Sequence, residues 1–179
     1  LEVPRAQFEA ALSAIRYRGP DDQGIWSEGG TTFGHLRLSI VDLSPAGHQP
    51  MFSADERYAI TYNGEIYNHN ELRAELDAES AHNWRGSSDT EVLLELISRR
   101  GVEVALQKVD GMFAFSLWDR HEKRIFLARD RFGEKPLFYA TRGEGLVFAS
   151  ELAALEQFKA LNLKVSRENV ARYFTCGYV

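Results

Sequence analysis

The sequence predicts an α+β fold in which two mainly antiparallel sheets are flanked by helices. Three observations point to it. Helical periodicities open and close the chain and recur in its middle, β-branched and aromatic runs fall into two groups between them, and short turns join the members of the second group. Residues 5–15 place Phe8, Leu12 and Ile15 at helical spacing before the Gly19-Pro20 pair, so a helix comes first. Residues 31–41 carry Phe33, Leu36, Leu38, Ile40 and Val41 and read as a strand, as do residues 58–62. Asn63-Gly64 follows, by itself the strongest two-residue hairpin signal. The next residues, NHNELRAEL, are helical instead: Asn68 and Glu71 fit an N-cap and its N3 partner, with Leu72 and Leu76 on one face. Residues 63–67 therefore read as a strand-to-helix loop. Ser88, three residues before Glu91, opens a helix whose Val92, Leu93, Leu96, Ile97 pattern stops at Gly101. After a short helical stretch, MFAFSLWD, RIFLARD, PLFYATR and GLVFAS read as four strands of an antiparallel sheet. Ser150 restarts a helix for about two turns, and Ser166 caps a last one through Phe174.

With 179 residues, 44% hydrophobic and 26% charged, the chain can build one domain with a substantial core and a short extension. A net charge of -5 with dispersed basic residues argues against nucleic acid or an anionic membrane as partner, leaving a small soluble ligand or a protein. No apolar run approaches the ~20 residues needed to span a bilayer. The opening LEVPRAQFEAAL has no signal-peptide character, so the chain reads as cytoplasmic. A single cysteine, Cys176, excludes an internal disulfide framework and a multi-cysteine zinc site. His35, His48, His69, His82 and His121 never fall at metal-site spacings, so neither a metal nor another cofactor is expected in this domain.

Several blocks occur in a telling order: RGPDD at 18–22, GHLRLSIVDLS at 34–44, QPM at 49–51, YNGEIYNHNELR at 62–73, SSDTEVLL at 87–94, GMFAFSLWD at 111–119, ARDRFGEKPLFY at 128–139 and FASE at 148–151. Together they resemble the amino-terminal glutaminase domain of glutamine-hydrolysing asparagine synthetase, a class II glutamine amidotransferase, over about residues 15–155. The resemblance implies the Ntn-hydrolase fold, a four-layer αββα sandwich. It also implies a glutaminase domain over residues 1–160, and a linker with the start of an ATP-dependent synthetase domain over 161–179. ATP and Mg would belong to that second domain, since no phosphate-binding glycine-rich loop occurs here. In the family the nucleophile is a cysteine at the first position of the processed chain. This sequence begins with Leu1, so the resemblance implies that on the order of ten residues, including one strand, are absent ahead of it, and the nucleophile with them. Cys176 lies far past the motif blocks and reads as a small buried hydrophobe in a terminal helix.

Glutamine offers a carboxylate, an ammonium and an amide, so a selective site needs a cation, an anion and an oxyanion hole. The family's carboxylate ligand falls at Arg37, whose planar fork suits a carboxylate; otherwise Arg37 would be a strand-edge residue, solvated or paired with Asp42. The ammonium ligand falls at Asp89, helped by Glu65; without the resemblance Asp89 would be a first-turn acid complementing the helix dipole and Glu65 an exposed loop acid. Asn63, through its side-chain amide, and Gly64, through its backbone N–H, match the oxyanion hole. Leu38, Ile40 and Val41 would line the pocket, with Arg18 in support. Tyr17 stands where the family usually has histidine, keeping an aromatic ring and a polar tip without the capacity for positive charge.

The function implied is hydrolysis of L-glutamine to glutamate, with the ammonia passed to a synthetase domain of the same chain that makes asparagine from aspartate in the commonest case. The resemblance leaves room for a homodimer. The rival reading is a catalytically inactive scaffold domain of a β-lactam-synthetase-like protein; a third is an Ntn-type hydrolase of another amide. The joint presence of Arg37, Asn63, Gly64, Glu65 and Asp89 favours the free amino acid glutamine.

Overall fold

Alternation of side chains along a strand decides which layer each one touches. In the computed structural model, which describes residues 3–177, the chain runs α1 (Arg5–Ala14), β1 (Asp22–Glu28), β2 (Thr31–Arg37), β3 (Met51–Phe52), β4 (Tyr58–Ile66), α2 (His69–Glu79), α3 (Asp89–Arg100), α4 (Val102–Lys108), β5 (Gly111–Asp119), β6 (Arg124–Arg129), β7 (Phe138–Arg142), β8 (Gly145–Ala149), α5 (Leu152–Leu155) and α6 (Arg167–Cys176). All recorded strand pairings are antiparallel: β3-β4-β5-β6 form a four-stranded sheet, and β1-β2 and β7-β8 form two-stranded ones.

Tyr58, Ile60, Tyr62 and Ile66 of β4, with Phe113, Phe115 and Leu117 of β5, point to one side of the four-stranded sheet and pack on Leu72 and Leu76 of α2 and on α3. Burying each such side chain contributes about 1.5–3 kcal/mol. The alternate residues point the other way, where Ala59 and Trp118 meet Phe33, Trp26 and Phe148 from the two hairpins. The edge-to-face pair Phe33–Phe148, centroids 5.7 Å apart, bridges those hairpins. Behind them, Ala11 of α1 and Ala154 and Leu155 of α5 close on Val147. The order of layers is helices, sheet, sheet, helices, the α+β sandwich expected. The α3 start is also as read: Ser88 Oγ accepts from Thr90 N at 3.2 Å, and Gly101 leaves the helix at φ 81°.

Other local expectations are corrected. Residues 63–66 are not a loop but the continuation of β4, with Asn63, Gly64, Glu65 and Ile66 in register with Ala114, Phe113, Met112 and Gly111. Gly64 suits this stretch because a Cβ there would sit 2.3 Å from the Met112 carbonyl oxygen. β2 ends at Arg37, so Leu38, Ile40 and Val41 lie in an exposed loop, Ile40 with 72% of its surface open. β1, whose sequence lacks apolar alternation, was not expected. The four late strands divide, β5 and β6 joining β4 while β7 and β8 pair separately. Asn68 sits at the N-cap of α2 without capping it: Nδ2 donates to Lys108 O at 2.9 Å and Oδ1 accepts from Asp110 N at 3.0 Å, stapling the entry to β5. Glu151, not Ser150, precedes the single turn of α5. Cys176 is exposed, not buried, because α6 buries no residue against the rest of the described structure.

Candidate active site

Between the four-stranded sheet and the hairpins lies a cavity of about 1200 Å³. Arg37, Leu38, Ile40, Val41, Asn63, Gly64, Glu65 and Asp89 all line it, and so does Arg18. Strand parity accounts for Asn63 and Glu65: both belong to the set of β4 residues on the side away from α2 and α3. Neither the Asn63 amide nor the Glu65 carboxylate has a hydrogen-bond partner recorded among the described residues, so both remain open to a ligand.

The Gly64 N–H is placed by the ladder. In an antiparallel strand successive N–H groups point to opposite edges. Tyr62 N binds Gln49 Oε1 at 2.7 Å and Ile66 N binds Asp89 Oδ2 at 2.9 Å, both away from β5. Gly64 N lies between them on that same edge, beyond the short β3, which pairs only with Ile60 and Ala59. An N–H at an open sheet edge next to an open carboxamide sets two hydrogen-bond donors side by side on the cavity wall.

Arg37 is only 8% exposed. Its Nη1 donates to Ser44 O at 2.9 Å and its Nη2 to Asp42 O, so it holds the loop that follows β2. The ion pair with the Asp42 carboxylate, one of its sequence readings, does not form; the backbone carbonyl takes that place. A guanidinium has five N–H donors, and three remain for a carboxylate. Asp89, 4% exposed at the first turn of α3, accepts from Thr90 N at 2.9 Å, Ile66 N at 2.9 Å and the Tyr62 hydroxyl at 3.0 Å. Of roughly four acceptor positions on a carboxylate, one stays open. Burial, reinforced by the negative charge of Asp89, pushes the Tyr62 hydroxyl pKa up, so it remains a donor.

Sequence reasoning missed Gln49, Tyr62 and Glu151. Tyr17 lies outside the cavity lining; its hydroxyl donates to Glu151 Oε2, while Arg18 Nη1 binds Glu151 Oε1 at 2.7 Å. Tyrosine at this position thus works as a neutral donor, tying the chain after α1 to the start of α5. The available signal was membership of the motif blocks: Gln49 opens QPM, Tyr62 opens YNGEIYNHNELR, and Glu151 ends FASE.

His35, which also lines the cavity, carries a pH signature. Burial lowers its pKa from 6.5 to about 4, with Arg37 and His48 adding to the fall and Asp22 opposing it. The unfolded chain therefore takes up this proton first as the pH drops. The stability linked to neutral His35 is complete above about pH 6.5 and is lost as the pH falls towards 4. Since the ring retains some solvent contact, the loss is put at about 2 kcal/mol. Thermal unfolding of His35→Gln should show a flatter fall between pH 7 and 4 than the unsubstituted protein; parallel curves would remove His35 from the acid response.

A family profile described as a glutamine amidotransferase domain matches residues 2–179. The chain belongs to this family. The amidotransferase domain is 40% identical over 172 residues to glutamine-hydrolyzing asparagine synthetase 3 of Bacillus subtilis, covering 95% of this chain and 28% of that protein. It is 41% identical over 165 residues to glutamine-hydrolyzing asparagine synthetase 1 of the same organism, covering 92% and 26%. It is 35% identical over 154 residues to amidase chry2 of Gibberella zeae, covering 85% and 22%. The chain thus spans about a quarter of the length of these relatives. Among the described residues no helix is long and apolar enough to cross a membrane.

Proposed function

We propose that this amidotransferase domain hydrolyses L-glutamine to glutamate and ammonia as part of a longer protein. The observation that carries the proposal is the gathering, in one cavity, of the Arg37 guanidinium, the Asp89 carboxylate and the adjacent Asn63 and Gly64 donors. Arg37 takes the substrate α-carboxylate and Asp89, with Glu65, its ammonium. Leu38, Ile40 and Val41 cover the aliphatic part. The amide oxygen then lies against Asn63 Nδ2 and Gly64 N, which bind it more strongly as it becomes an oxyanion.

The nucleophile is a thiolate on a strand ahead of Leu1, its own α-amino group serving as base. It attacks the amide carbon, the tetrahedral adduct expels ammonia, and water hydrolyses the thioester to glutamate and free thiol. Three features support such a strand. The cavity is larger than the roughly 300–1,000 Å³ of sites that hold drug-sized ligands. It runs along both β2 and β8, each with a single strand neighbour among the described residues. On its wall, the buried Trp118 Nε1 has no hydrogen-bond acceptor among the described residues, and an incoming strand would offer backbone carbonyls.

Residues 1–160 form the glutaminase unit, and residues 161–179, whose α6 buries nothing, lead into a synthetase domain that holds ATP and Mg. The ammonia is passed there, and the names of the Bacillus relatives support asparagine as the product. The test is glutamate release. The full-length protein should turn over glutamine and lose activity to thiol reagents, while the 179-residue polypeptide alone gives none. A folded full-length protein with no glutamate release would return the domain to the scaffold reading.

A further inference from the structure

We infer that Asp42 is a positioning residue that sets the spacing between the cationic and anionic ends of the amino-acid site; the inference rests on the glutaminase reading. Asp42 is contacted from both ends. Its backbone carbonyl receives Arg37 Nη2, and its Oδ1 accepts from Ser44 N at 2.7 Å, whose carbonyl receives Arg37 Nη1 at 2.9 Å. These bonds fold the loop around the guanidinium. Its Oδ2 accepts from Ser87 N at 2.8 Å, 45 residues away along the chain and two before Asp89. One side chain therefore joins the loop that Arg37 holds to the loop that delivers Asp89.

The far loop is not free to drift. Arg73 Nη1 binds Gly86 O at 3.0 Å, and Glu91 Oε2 accepts from Gly86 N at 3.2 Å. Gly86 itself is pressed against the brace, since a Cβ there would lie 2.3 Å from Asp42 Oδ2 and 2.9 Å from Ala46 Cβ. Hydrogen bonds from Ser44 and Ser87 hold the Asp42 pKa below its ordinary value, so the carboxylate stays ionised through the neutral range. The local turn to Ser44 alone would be an ordinary Asx turn. The bond to Ser87 and the glycine that makes room for it are what reach the second half of the site.

The test compares L-glutamine with glutaramate, the same amide acid without the α-ammonium, in the full-length protein. Glutaramate needs Arg37 but not Asp89, so it is insensitive to the spacing. Asp42→Asn leaves only one acceptor for two N–H donors. It should raise KM for glutamine about tenfold, keep kcat within about twofold, and leave KM for glutaramate nearly unchanged. Gly86→Ala, which displaces the carboxylate without altering it, should reproduce that pattern and decides the matter if Asp42→Asn does not fold. Equal losses on both substrates, or a loss in kcat at constant KM, would overturn the inference. If the unsubstituted full-length protein turned over neither substrate, the glutaminase reading would fall and this inference with it.

Discussion

Replacing Asn63 by alanine in the full-length protein should lower kcat for glutamine by ~10²–10³ and leave KM within about threefold, if the pair Asn63 and Gly64 is the oxyanion hole proposed above. The side chain stands on the inter-sheet face of β4, with no protein partner recorded among the described residues and the edge N–H of Gly64 beside it. Its amide therefore supports no other part of the fold, and the backbone of residue 63 keeps its register with Ala114 after substitution. The ground-state carbonyl gains little from this donor, whereas the oxyanion gains most, so the loss falls on kcat. Glutamine titration with circular dichroism as a folding control checks it. A raised KM at unchanged kcat would make Asn63 a ground-state ligand.

Arg37→Ala acts on binding and on the fold together. Under the proposed assignment it removes the charge-assisted contact to the substrate carboxylate, and should raise KM for glutamine ~10- to 100-fold with a much smaller change in kcat. It also leaves the carbonyls of Asp42 and Ser44 without their donor, so Tm should fall as the loop over residues 38–47 loosens. Arg37→Lys should recover little of either, because one ammonium cannot reproduce a fork serving two carbonyls and a carboxylate. Steady-state kinetics and thermal unfolding separate the two parts. A lowered Tm with KM unchanged would make Arg37 a loop anchor and nothing more.

Where the sequence misled, the cause was a side-chain or strand contact that local apolar pattern and turn propensity do not record. The helix α3 was legible because Ser88, the apolar spacing from Val92 to Ile97 and Gly101 lie within one short stretch. Asn63-Gly64 looked like the end of a strand because its turn propensity is local, whereas the β5 partner that keeps it extended begins at Gly111. Leu38, Ile40 and Val41 alternate like a strand, yet Arg37 turns the chain by binding two carbonyls just ahead, which no pattern of apolar residues records. The membership of the candidate site was legible from the motif blocks. Its bracing was not: Asp42 reaches Ser87 across 45 residues and Arg18 reaches Glu151 across 133.

If this cavity is a glutamine site served by a thiol outside residues 1–179, as proposed, a reactive glutamine analogue should find that thiol. The most direct measurement is peptide mapping of the full-length protein after reaction with a diazoketone analogue of glutamine, with and without L-glutamine present. The expected result is a single adduct on a cysteine ahead of Leu1, slowed by L-glutamine and greatly slowed by Arg37→Ala. An adduct on the exposed Cys176, or a folded protein that takes up no label, would contradict it.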